Sequence, residues 1–212
     1  MRVLYELSSR DGYSYSLFVF KVRAVLGYKK LEYESVVLGF KEIHEQVAKY
    51  NPKKEVPVLI DGDKIVCDSD LIYEYLEENY PQSPVRKGDT TVLNEIMQIT
   101  HVMLSIGMPN TVAKLKDEDQ EYFRAKAEAA TGRKVEESLK DDVYQENLSK
   151  WRSTIDSLTE RIVNDSQVTF SNINIAGVLY WLRFCVGADD VFGDNENLKS
   201  WFENFLKVVH VD

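Results

Sequence analysis

Cysteine is scarce in this sequence: Cys67 and Cys185 are the only two among 212 residues. They lie far apart and make no metal-ligand spacing, so each reads as a free, buried thiol. Positive charge is short as well, with 26 Lys and Arg against 35 Asp and Glu and a net charge of -9. Phosphate backbones and anionic lipid surfaces are bound by basic clusters, which are not seen here, so the expected partners include no nucleic acid and no membrane. No apolar run reaches 18 residues, and Met1-Arg2-Val3 passes directly into a strand pattern instead of a signal-type start. That predicts a cytoplasmic protein without a membrane span. The three histidines, His44, His101 and His210, share no ligand spacing, and no metal site is expected. There is no internal repeat and no low-complexity tract.

What remains is an ordinary globular composition, 44% apolar and 29% charged, in a chain long enough for one large domain or two modest ones. The first 81 residues alternate strand and helix signals. Arg2 to Leu7 reads as a strand ending in the polar loop Ser8-Ser9-Arg10-Asp11-Gly12. Phe18, Val22, Val25 and Leu26 recur at helical spacing after Ser14 and Ser16, either of which can cap the helix, and Gly27 stops it. Leu31 to Leu38 reads as a second strand and Lys41 to Tyr50 as a second helix, ended by Asn51-Pro52. Val56 to Asp61, the turn Asp61-Gly62-Asp63, and Lys64 to Cys67 read as a hairpin. A capped helix follows from Asp68 and Ser69, apolar at Leu71, Ile72, Tyr75 and Leu76, to Pro81.

Residues 82–91 lack periodicity and read as a linker. Beyond it, 92–212, no convincing strand pair appears. Helices are expected from Leu93 through Leu104, with Pro109 bending or ending the first; over Glu118 to Leu139; along Leu148, Trp151, Ile155, Leu158 and Ile162; through the apolar Ser171 to Val186, which should be central; and over Asn197 to Val208. The fold class is therefore α/β followed by all-α: an N-terminal unit over 1–81 and a helical bundle.

The run Val56-Pro57 to Tyr80-Pro81 resembles the glutathione-binding half of the glutathione transferases: Val-Pro, a hairpin, an acidic residue before Ser, then a helix ending in Tyr-Pro. Ser16 to Leu26 resembles that family's serine-led first helix. The loop from Tyr5 to Tyr15 and the Gly39-Phe40 pair are similar to the etherase-like branch of bacteria and fungi. The resemblance implies a thioredoxin-like N-terminal domain, glutathione as the thiol co-substrate, a hydrophobic electrophile as the second, and a homodimer.

By that resemblance Ser16 is the activating hydroxyl, with Ser14, Tyr13 and Tyr15 as alternatives. Val56 and Pro57 would pair with the peptide backbone of glutathione, and Asp68 and Ser69 would hold its γ-glutamyl end. Lys54 and Lys41 are the nearest cations for its glycine carboxylate. The sequence departs from the pattern at Leu17, where many members have Pro, at Glu55, where Lys is common, and at Asn174. There a Ser171-x-x-Asn174 cap for the central helix replaces one ending in Asp. Tyr13, Tyr15, Phe18, Met103 and Met108 are candidates for an apolar pocket. The alternatives are a glutathione-dependent isomerase or etherase, and a non-catalytic interaction module on the same fold.

Overall fold

Alternating burial along Arg2–Leu7 (β1) withdraws Leu4 and Glu6 from solvent while Val3 and Tyr5 stay partly exposed. In the computed structural model, which describes residues 1–165 and 167–211, β1 is an inner strand. It pairs in parallel with β2 (Glu34–Leu38), Val3 opposite Glu34. On its other side it pairs antiparallel with β3 (Val58–Asp61), which turns through Gly62, at φ +62°, into β4 (Lys64–Cys67). The order is β2-β1-β3-β4. Parallel pairing of β1 and β2 requires a crossover, and α1 (Leu17–Tyr28) supplies it. Helix α2 (Phe40–Gln46) follows β2, and α3 (Ser69–Asn79) follows β4 and packs against α1.

The remainder is helical among the described residues: α4 (Thr91–Gln98), α5 (Thr100–Thr111), a 3₁₀ turn (Val112–Lys114), α6 (Asp117–Thr131), α7 (Val135–Ser138), α8 (Asp141–Val163), α9 (Phe170–Val186), α10 (Ala188–Phe192) and α11 (Glu196–Val208). Helix α9 is buried over most of its length, as its all-round apolar sequence requires. It also joins the two halves. A Cβ on Gly177 would meet the backbone oxygen of Leu17 at 3.3 Å, and the Phe170 ring stacks on Tyr73 at 3.9 Å. No described helix is long and apolar enough to cross a membrane.

Several expectations shift. Strand β2 begins at Glu34, three residues late, and α2 ends at Gln46 because the chain already turns through Val47–Tyr50. The first long bundle helix is broken at Ile99, whose φ and ψ of -102° and 26° leave the helical region. Pro109 lies inside α5, which ends two residues later at Thr111. The helix expected to Leu139 stops at Thr131 because Gly132 takes the left-handed conformation, φ 68°, that terminates helices. Helix α10 was not expected. The cap of α9 is Thr169, whose Oγ1 accepts from the Asn172 amide at 3.1 Å; Ser171 donates instead to the Asp89 carbonyl at 2.6 Å, and Asn174 to Phe170.

Candidate functional site

Ser16 sits at the N-cap of α1 in extended conformation, and its Oγ accepts a long hydrogen bond, 3.5 Å, from the Val19 amide. That uses a lone pair, and among the described residues no acceptor takes the hydroxyl proton. The preceding loop is fixed. Ser9 and Tyr13 close it on themselves, Arg10 donates twice to the Leu115 carbonyl at 3.1 and 3.2 Å, and the Tyr180 hydroxyl donates to the Ser14 carbonyl at 2.9 Å. Ser16 is thus presented from a backbone held by the helical half.

The alternative hydroxyls fare differently. Tyr15 is 2% exposed, stacked on Phe184, and burial pushes its phenol well above the usual range. A proton donor to an incoming thiolate cannot be sealed in the interior. The Tyr13 ring lies between Tyr180 and Phe184, with centroids 5.6 Å from each. Ser14 is buried, its Oγ without a partner. Of the residues drawn from sequence for an apolar pocket, Tyr15 and Met103 are core, Phe18 is 52% exposed, and Tyr13 and Met108 are half-buried.

Hairpin register brings the next two groups together. Val58 pairs with Cys67, so the Val56-Pro57 corner, whose peptide bond is cis, lies beside Asp68-Ser69 at the start of α3. Asp68 adopts φ +80°, uncommon for a residue with a side chain. Its Oδ1 accepts from the Asp70 and Leu71 amides at 2.9 and 3.3 Å, which caps α3 and engages one of the two carboxylate oxygens. Ser69 is 5% exposed and its Oγ lies 3.4 Å from Asp70. Asn51 shapes the approach, accepting from the Lys53 amide and donating to the Glu55 carbonyl.

A tie that sequence reasoning missed links the two helix starts. The Lys21 ammonium, on α1 and nearly buried, reaches Asp70 at 3.2 Å on the first turn of α3. Its one local signal is a lysine amid the apolar run of α1. Lys41 and Lys54 are both exposed, and no hydrogen bond among the described residues joins either ammonium to Ser16, Asp68 or Ser69.

A helix-capping hydroxyl, a proline corner beside a capped helix, and a mixed sheet ahead of a helical bundle together define a thioredoxin-like α/β unit with an all-helical second half. The chain belongs to the glutathione S-transferase family: residues 12–84 match its N-terminal domain and 91–207 its C-terminal domain. A zeta-class glutathione S-transferase of Euphorbia esula is 40% identical over 82 residues, 36% of either chain, so the chain spans little more than a third of that relative's length. Among solved structures, the glutathione S-transferase CsGST63524 of Ceriporiopsis subvermispora in complex with glutathione aligns with a TM-score of 0.82 at 20% identity, over 98% of this chain and 97% of its own. The beta-etherase LigF from Sphingobium sp. strain SYK-6 aligns at 0.63 and 20%, over 99% and 97%. At such identities these two share the fold.

Proposed function

We propose that the chain is a serine-type glutathione transferase in which Ser16 stabilises the glutathione thiolate for attack on a hydrophobic electrophile. The observation that carries this is the Ser16 hydroxyl at the α1 N-terminus, its proton uncommitted among the described residues. An ordinary thiol has a pKa near 8.5, and lowering it by about two units takes roughly 2.7 kcal/mol of preference for the anion. One hydroxyl donating to a charged acceptor supplies about 1.5 to 3 kcal/mol, and a helix N-terminus roughly 0.3 to 1 more. One serine there is sufficient.

In this reading the Val56 backbone pairs with the cysteinyl peptide, Asp68 Oδ2 takes the γ-glutamyl ammonium, and the hydroxyl and amide of Ser69 take the α-carboxylate, the Asp70 and Leu71 amides being held by Asp68 Oδ1. Lys54 and Lys41 serve the glycine carboxylate. The thiolate forms a bond to the electrophilic carbon and the leaving group departs with the electron pair. A homodimer would cover Leu71, Ile65 and Met97, each about half exposed. The test is thiol conjugation by wild type and Ser16→Ala, with bound thiolate followed by ultraviolet titration. Glutathione should still bind Ser16→Ala while turnover falls about 10- to 100-fold and the bound thiol titrates near its free value. Binding without turnover in wild type would favour a non-catalytic module instead.

A further inference from the structure

Helix α2 has little of its own to hold it. It is seven residues long, with Ile43 as its buried side chain, and a helix that short does not persist without tertiary support. The support comes from the helical half. Asp119, on the first turn of α6 and 2% exposed, accepts from the Phe40 amide through Oδ2 and from the Lys41 amide through Oδ1, both at 2.9 Å. Glu42 accepts from the Gly39 amide at 2.8 Å and pairs with Lys116. The seat is specific, since a Cβ on Gly39 would stand 2.3 Å from Asp119 Oδ2. The Phe40 ring lies 5.4 Å from both Tyr122 and Phe123 of α6, and His44 meets Tyr122 edge-on.

Two consequences follow from this arrangement. The first amides of α2 are occupied by the chain's own carboxylates, so the end of this helix is closed to a ligand anion. Recognition by α2 must then come from a side chain, and Lys41 is the residue whose amide Asp119 grips.

We propose that Asp119 is a positioning residue for glutathione: from the helical half it caps α2 and so sets Lys41 for the glycine carboxylate. This rests on the functional reading above. Asp119 touches neither glutathione nor the reacting atoms; it sets the fraction of molecules in which α2 is formed. An apparent dissociation constant varies inversely with that fraction. The signature is therefore a raised KM for glutathione with kcat, which depends on Ser16, unchanged.

The experiment combines steady-state kinetics with amide hydrogen exchange on the full chain, comparing wild type, Asp119→Ala, Asp119→Asn and Lys41→Ala. In Asp119→Ala, exchange over 40–46 should speed up on the order of tenfold, the effect of losing a helix cap. KM for glutathione should rise at constant kcat by the ratio of the formed α2 fractions that exchange measures, about twofold where half the variant molecules have α2 open, and saturating glutathione should restore protection. Asp119→Asn, which keeps one acceptor oxygen, should lie between, and it carries the test if the alanine variant does not fold. Lys41→Ala should raise KM without loosening α2. Exchange showing α2 open in half or more of the variant molecules with an unmoved KM, or a silent Lys41→Ala, overturns the proposal and leaves the Ser16 reading standing. Wild type that binds no glutathione overturns both.

Discussion

The ammonium of Lys29 lies 2.8 Å from the Glu77 carboxylate, and the lysine side chain is wholly withdrawn from solvent. The same ammonium donates to the Tyr80 carbonyl at 2.7 Å and reaches those of Gln82 and Ser83 at 3.3 and 3.4 Å. It therefore joins the end of α1 to the end of α3 and to the segment leading into the helical half.

Lys29→Met keeps the aliphatic volume and removes the charge. It takes the cation from Glu77, 23% exposed, which keeps only the Val85 amide at 3.2 Å among the described residues, and leaves the end of α3 without its donor. Breaking one side of a buried pair costs about 3 to 5 kcal/mol, and the partial exposure of Glu77 places the expected loss near the lower figure. Urea unfolding at pH 7 measures it. A loss below about 1 kcal/mol would show that water replaces the ammonium.

The cap of α9 offers a second test, because the sequence points to Ser171 and the structure uses Thr169. Thr169→Val removes the acceptor for the Asn172 amide and should cost about 1 kcal/mol in thermal or urea unfolding. Ser171→Ala removes a bond to the Asp89 carbonyl, which tethers the start of α4 to α9, and leaves the cap intact. Hydrogen exchange separates them: only the threonine variant should loosen the first turn of α9.

That difference shows what the sequence carries and what it does not. Turns and caps are local, so Asp61-Gly62-Asp63, Ser16 and Asp68 announce the hairpin and the starts of α1 and α3 within a few residues. At α9, Thr169 and Ser171 both precede the same apolar run, and the choice is made by Asp89, 82 residues away from Ser171. Lys21 with Asp70 and Asp119 with Phe40 are 49 and 79 residues apart, and nothing near any of the four names its partner. The break at Ile99 leaves no proline or glycine to mark it. Local chemistry made the α/β unit and Ser16 legible; the residues that hold Ser16 in place are nonlocal.

Thiol reactivity separates the two cysteines. Cys185 is 2% exposed beside the Thr111 hydroxyl, and burial pushes its thiol up to about 12. At pH 8 roughly one molecule in ten thousand carries that thiolate, and it is out of reach of a reagent. Cys67 is half-buried with its thiol against the Tyr50 carbonyl, and burial raises it too. An aromatic disulfide reagent should therefore titrate one thiol in the native protein and two in denaturant. The native rate should keep rising above pH 9, where an exposed cysteine levels off. Two fast native thiols would contradict the packing of α9 on α5.

The same burial predicts how the fold fails in alkali. Tyr15, Tyr144 and Tyr180 are raised above the usual phenol range, chiefly by desolvation, and Cys185 above the usual thiol range. In the unfolded chain a thiol releases its proton near 8.5 and a phenol near 10, whereas the folded protein still holds these protons. The native state then binds more protons than the unfolded one, so stability falls as pH rises. The contribution is complete below about pH 8, begins to go as the thiol of the unfolded chain titrates, and drops more steeply above about 10 as the phenols join it. Urea midpoints at pH 7, 9 and 10.5 should decrease, with the larger step in the second interval. A midpoint that holds level to pH 10.5 would mean that the three phenols are solvated in the folded protein, against their packing around α9 and α10.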